Sequence, residues 1–226
     1  MLFAAGLGTR MGALTAEQPK PMIPVAGRPL IDHALDLVTE AGIPDVVVNI
    51  HWKGEKLRRH LSGRPVQISD ESDALLETGG GLRRALPLLG EGAVWTLNPD
   101  VLWSGPNPLR TLAPAWDPAR MSSLLLLAPI SQLRGYRGEG DFTLHDDGRI
   151  SRGGPLVYLG AQIIDPQGIE TVPDQAFSLN RLWDMQIAAG RAHGTIYPGQ
   201  WCDVGRPEGI ALAEAMLIEG ASRVHG

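Results

Sequence analysis

At 226 residues the chain can bury a full core, and 43% hydrophobic with 20% charged residues places it among ordinary globular proteins, not disordered ones. Twenty Lys and Arg against 25 Asp and Glu give a net charge of −5, and no stretch gathers the cations into a stripe suited to a nucleic-acid backbone. The longest apolar run, residues 124–128, is too short to span a bilayer, the single Cys202 excludes an internal disulfide, and no leader-like segment stands at the start, so a cytoplasmic protein without membrane or nucleic-acid partners is expected.

Hydrophobic periodicity then gives strands and helices in alternation. Residues 2–5 form a short predicted strand that runs into Gly6-Leu7-Gly8-Thr9-Arg10-Met11-Gly12. Pro19, Pro21 and Pro24 prevent a long helix from following, so an extended loop over the sheet is expected. Pro29 can open a helix with an apolar face of Leu30, Ile31, Ala34, Leu35, Val38 and Ala41, stopped by Gly42. Strands are predicted at 46–50, 66–69 and 93–97, with helices at 55–61 and about 81–89 between them, a rhythm that argues for a parallel sheet. The third strand delivers Asn98-Pro99-Asp100 to a loop at its C-terminal end.

From Ser122 the pattern changes to a strand at 124–128, a hairpin of 141–145 and 149–152 around Asp146-Asp147-Gly148, and a strand at 156–164. Helices near 179–189 and 207–219 enclose a strand at 194–197 and the motif Trp201-Cys202-Asp203-Val204-Gly205. No linker divides the chain, so one domain over 1–226 with a β-rich second lobe is expected.

A glycine pair directly after a strand lets backbone N–H groups approach phosphate oxygens, and Arg10 adds a planar fork of donors; a tight surface turn is the competing reading. The spacing is neither a P-loop, because no Gly-Lys-Ser/Thr follows, nor a dinucleotide fingerprint, because the third glycine is Gly12 and no helix opens at once. Lys20 stands between two prolines and is joined only by Lys53 and Lys56 among 20 basic residues, which favours a positioned charge over a solvated one. Asp100 and Asp203 each follow a predicted strand, and two carboxylates at sheet ends suit one Mg2+ that also takes substrate phosphate oxygens; either alone is also an ordinary loop residue. Cys202 reads as a packed thiol, and neither His33 nor His51 has a Ser or Cys partner in a motif, so a hydrolase triad is unsupported.

Taken together, Ala4-Ala5-Gly6-Leu7-Gly8-Thr9-Arg10-Met11 and Pro19-Lys20-Pro21-Met22-Ile23-Pro24-Val25 resemble the signature of the sugar-1-phosphate nucleotidylyltransferases. Glu77-Thr78-Gly79-Gly80-Gly81, Gly140-Asp141-Phe142 and Trp201-Cys202-Asp203-Val204-Gly205 are similar to its short N-acetylmuramate α-1-phosphate uridylyltransferases, which recycle peptidoglycan sugars. The resemblance implies an α/β fold with a doubly wound, mixed but mostly parallel sheet and a small β-rich sugar-binding lobe, residues 1–115 serving the nucleotide and 116–226 the sugar and metal. It also implies Mg2+-dependent nucleotidyl transfer from UTP to N-acetylmuramate α-1-phosphate, releasing pyrophosphate. By position, Ala4, Ala5 and Gly6 would meet the nucleoside, Gly8, Thr9 and Arg10 the polyphosphate, and Lys20 the α-phosphate. Glu77 and Gly80 would lie beside the base, where uracil needs an acceptor for N3–H and donors for its carbonyls. Asp100 and Asp203 match metal ligands, and Asp141 and Asn180 the sugar side.

The match has departures. Pro99 stands where the family has a small residue and removes an N–H donor, and the first strand lacks the few residues that precede it in the family, so an upstream start is expected. Mannose-1-phosphate guanylyltransferase and glucose-1-phosphate thymidylyltransferase keep the chemistry with other substrates. A nucleotide-binding regulatory protein without turnover is the alternative of another class, and Arg10, Lys20, Asp100 and Asp203 together argue against it. The expected partners are a nucleoside triphosphate and a sugar 1-phosphate, bound by a monomer or small homo-oligomer.

Overall fold

The signature segment does not run extended in the structure, a computed structural model that describes residues 1–224. It coils into two 3-10 helices, Thr9–Thr15, kinked at Gly12, and Lys20–Met22, because short i to i+3 turns tolerate the prolines that a long helix does not. The small antiparallel pair β1 (Pro24–Val25) and β2 (Arg28–Pro29) leads into α1 (Leu30–Glu40), which buries Leu30, Ile31, Ala34, Leu35 and Val38. There follow β3 (Val47–Ile50), α2 (Gly54–Leu61), β4 (Gln67–Asp70), α3 (Glu77–Leu89) and β5 (Val94–Leu97).

Residues 2–5 do not form a regular strand, yet they hold the centre of the parallel half. Leu2 bridges in parallel to Val48 on one side and Leu97 on the other, its N–H donating to the Val47 carbonyl at 2.8 Å. Beyond β5 come β6 (Val101–Ser104), α4 (Pro108–Leu112), β7 (Ser123–Pro129), β8 (Leu133–Arg134), β9 (Phe142–Leu144), β10 (Ile150–Arg152) and β11 (Leu156–Ile164). The chain closes with α5 (Asn180–Ala188), β12 (Ala192–Ile196), β13 (Gln200–Asp203) and α6 (Pro207–Val224).

Strand β11 runs antiparallel to both β5 and β7, while β12 is parallel to β7, so the order across the main sheet is β4, β3, Leu2, β5, β11, β7, β12. The hairpin of β9 and β10 forms as expected and meets β11 at Phe142 and Leu156. Strand β7 is buried on both faces: Leu124, Leu126 and Ala128 enter the core toward α1 and α4, and Leu125 and Leu127 the core toward α3 and α5. A second sheet, β6-β13-β8, packs under α6 through Leu102, Cys202, Val204, Ala213 and Met216, and the same cluster takes in Met11, Ile23 and Val25 of the signature segment. This cluster ties the glycine loop to the strands that carry the two aspartates. Among the described residues no helix is long and apolar enough to cross a membrane.

Candidate active site

A cleft opens at the C-terminal ends of the parallel strands, where the strand-end rule for α/β sheets places ligands. Its deeper end is lined by Phe3, Ala5, Gly6, Asn49, Glu71 and Asn98, and its outer stretch by Gly8, Thr9, Arg10, Lys20, Ser178 and Gly205. Gly6, Leu75, Glu77, Thr78 and Asp100 belong to both, which makes the two one continuous channel.

Gly8 sets the outer stretch. Its φ of 64° is left-handed, and a Cβ there would stand 2.9 Å from Thr15 Cγ2 and 3.0 Å from Lys20 Cβ. The Thr15 hydroxyl donates to the Gly8 carbonyl at 3.0 Å, and the Trp52 indole N–H donates to the Thr15 carbonyl at 3.0 Å, so the loop is held from both sides. Gly8→Ala is expected to cost about 2–4 kcal/mol through strain and overpacking, lowering Tm by about 5–15 °C. Calorimetry showing an unchanged Tm would mean that the loop yields freely.

Lys20 is only 8% exposed, and its Nζ lies 2.5 Å from Asp100 Oδ2. Strand pairing brings the second aspartate to the first: β13 opposes β6 with Asp203 facing Val101, and the Val204 N–H donates to the Asp100 carbonyl at 3.0 Å. Burial, then the charge of Asp100, raises the Asp203 carboxyl above its usual range, while Lys20 and Arg10 oppose the shift. Gly205 lets that carboxylate lie close, since a Cβ there would stand 2.8 Å from each of its oxygens. Among the described residues no cluster of three or more His, Cys, Asp or Glu forms a metal cage. Two neighbouring carboxylates beside a channel lined by Gly8, Thr9, Arg10 and Lys20 nevertheless fit Mg2+, which takes few protein oxygens and fills its shell with water and substrate phosphate.

At the deeper end stands a residue that the sequence reading passed over. Glu71 is fully buried, directly after β4, in a directional chain of hydrogen bonds: the Ala4 N–H donates to Asn49 Oδ1 at 2.6 Å, and Asn49 Nδ2 donates to Glu71 Oε1 at 2.7 Å. Glu71 Oε2 has no hydrogen-bond partner among the described residues, and the side chain faces the cleft. Burial raises its pKa, and the Asn49 hydrogen bond restrains the rise. An acid at the C-terminal end of a parallel strand was a legible signal, the same one that singled out Asp100.

Residues 1–129 match the MobA-like NTP transferase domain. The chain belongs to this nucleotidyltransferase family. The nucleotidyltransferase is 42% identical to the N-acetylmuramate alpha-1-phosphate uridylyltransferase of Caulobacter vibrioides, with 97% of this chain and 96% of that protein covered. It is 31% identical to the protein of the same name from Neisseria meningitidis, over 98% of each. A solved UDP-glucose pyrophosphorylase shares the fold with a TM-score of 0.76 at 17% identity, covering 96% of this chain and 97% of that one. The expected α/β architecture, with its mixed and mostly parallel sheet, is thereby borne out.

Most of the predicted site residues of the nucleotidyltransferase meet in the channel: Ala5, Gly6, Gly8, Thr9, Arg10, Lys20, Glu77 and Asp100 line it, and Asp203 stands beside Asp100. Ala4 lies beneath, its N–H taken by Asn49. Glu77 occupies the mouth with a left-handed φ of 59°. Gly80 is not among the channel-lining residues: its N–H donates to the Phe177 carbonyl at 3.1 Å, and a Cβ there would stand 2.5 Å from the Gln175 carbonyl, so it packs α3 against 175–177. Asn180 also lies outside the lining; its amide donates to the hydroxyl of Ser178, which does line the channel, at 2.9 Å. Asp141 is not among the lining residues and accepts the Tyr158 N–H at 2.9 Å.

Proposed function

We propose that this nucleotidyltransferase moves the uridylyl group of UTP onto N-acetylmuramate α-1-phosphate, releasing pyrophosphate, as a cytoplasmic step of peptidoglycan sugar recycling. The observation that carries the reaction is Lys20 paired to Asp100 beside Asp203, in the channel that Gly8, Thr9 and Arg10 also line. The names of the two uridylyltransferase relatives support the substrates.

In this reading a phosphate oxygen of the sugar attacks the α-phosphorus of UTP, and the bond from that phosphorus to the bridging oxygen of the β-phosphate breaks. The attacking phosphate is already an anion, so no strong base is required; two anions must be aligned and their charge spread. Arg10 and Lys20 supply fixed positive charge on the channel wall. Asp100 and Asp203 would hold Mg2+, which when bound neutralises phosphate oxygens. Residues 1–115 serve chiefly the nucleotide and 116–226 chiefly the sugar, with Asp141 on the sugar side.

The base assignment rests on Glu71. Because Oε1 is engaged by Asn49, one free carboxylate oxygen faces the base, which suits the single N3–H of uracil, whereas a guanine edge offers two donors. Base carbonyls would meet the N–H groups of Glu77 and Thr78, which precede the hydrogen-bond ladder of α3. Pyrophosphate release measured with UTP, dTTP, GTP, CTP and ATP against the 1-phosphates of N-acetylmuramate, N-acetylglucosamine, glucose and mannose is expected to single out UTP with N-acetylmuramate. A different productive pair replaces the substrates, and silence throughout replaces the enzyme by a binding protein.

A further inference from the structure

The chain between β8 and β9, residues 135–140, crosses from the metal-side aspartate to the sugar side. At one end Gly135, with a φ of 75°, lies against Asp203: a Cβ there would stand 2.6 Å from the Asp203 carbonyl oxygen. At the other end Gly140 presses on the Gly154 carbonyl, and the Asp141 N–H donates to the Leu156 carbonyl at 2.7 Å. Between them the Tyr136 ring folds onto Gly138, and its phenol lies within the fields of both Asp141 and Asp203. The segment is therefore pinned at both ends between Asp203 and Asp141, the side on which the proposed function puts the acceptor sugar.

Next to Tyr136, Arg137 reaches Glu208 in the first turn of α6 at 4.0 Å, with the two side chains 69% and 66% exposed. A pair at the limit of ion-pair distance between two solvated side chains contributes little, so Arg137 can change partner at small cost. With Asp100 paired to Lys20, the other carboxylates around this end, Asp141, Asp203 and Glu208, repel a second anion. An acceptor sugar that carries a carboxylate besides its phosphate therefore needs a cation on this rim, and a guanidinium fork matches a carboxylate in two hydrogen bonds.

We propose that Arg137 is a specificity-determining residue, which leaves Glu208 to hold the carboxylate of an acidic hexosamine 1-phosphate. This rests on the function proposed above, in which the lactyl ether of N-acetylmuramate supplies that carboxylate. The test is kcat/KM with UTP and Mg2+ for N-acetylmuramate 1-phosphate and N-acetylglucosamine 1-phosphate, in the wild type, Arg137→Gln, Arg137→Lys and Glu208→Gln. For Arg137→Gln the ratio of muramate to glucosamine values is expected to fall about tenfold, through KM, the size of one lost charge-assisted contact. Arg137→Lys restores part of the ratio, and Glu208→Gln raises it by freeing the guanidinium. A wild type that prefers the muramate substrate, with a ratio that Arg137→Gln leaves unmoved, overturns the role of Arg137 alone. A wild type without that preference overturns the sugar assignment beneath it.

Discussion

Asp203→Asn is expected to lower turnover by about a thousandfold while leaving the metal-free protein at least as stable as the wild type. Asn keeps the shape that fits against Gly205 and the strand pairing with Val101, so the fold has no reason to change. What it loses is half of the carboxylate pair, and a metal ion that stabilises developing charge contributes several kcal/mol, each 1.36 kcal/mol being tenfold in rate. The stability half follows from the raised carboxyl pKa, caused first by burial and then by Asp100. A carboxyl raised in the folded state contributes stability below its ordinary value of 3.8, and that contribution is lost as pH rises through the folded value. At pH 7 the ionised Asp203 therefore opposes folding, and Asn removes that opposition. Thermal melts in EDTA at pH 7 are expected to show a Tm equal to or above the wild type; a lower Tm would mean that the lost turnover is a folding defect.

Glu71→Gln is expected to raise KM for UTP by about 10–100-fold and to improve CTP relative to it. The direction follows from the hydrogen-bond chain. The Ala4 N–H holds Asn49 Oδ1, which leaves Asn49 Nδ2 as a donor toward residue 71 and requires an acceptor there. Gln must answer with its oxygen, so its NH2 group takes the place of Oε2 and faces the base as a donor. Against N3–H of uracil that is donor against donor, a loss of about 1–3 kcal/mol; against the N3 acceptor of cytosine it is a match. In the wild type, protonation of Glu71 abolishes the same acceptor. Because burial raises its pKa, kcat/KM for UTP is expected to fall on the acid side from above pH 4.5, and the Gln variant lacks that limb. Steady-state kinetics on UTP and CTP decide it, and a variant with unaltered UTP preference would place the base elsewhere.

The sequence announced its chemistry more clearly than its architecture. The glycine loop, Pro19-Lys20-Pro21 and the two aspartates were legible because each places a special residue next to a strand or between fixed φ angles, which is local information. The pairing of Asp100 with Asp203 was legible only as a shared cleft; its actual cause is β6, whose four residues follow β5 too closely to stand out as a separate strand and whose partner β13 lies far along the chain. Helix α3 starts at Glu77 instead of near 81 because its glycines, poor helix formers, are dictated by packing. Added Cβ atoms would meet Phe177 at Gly79, the Gln175 carbonyl at Gly80 and Glu71 Oε1 at Gly81. The same crowding explains why Gly80, expected beside the base, serves the helix contact, and why Glu71, an unremarked loop acid in the sequence, becomes a buried acceptor with one oxygen free.

The most direct test of nucleotidyl transfer is phosphorus NMR of the wild-type protein with UTP, N-acetylmuramate α-1-phosphate and Mg2+. The predicted result is loss of the three UTP signals and of the sugar phosphate, with a pyrophosphate singlet and the two coupled signals of a UDP-sugar growing in equal amounts. Unchanged substrates, or UTP consumed to UDP and orthophosphate with the sugar phosphate untouched, would contradict it.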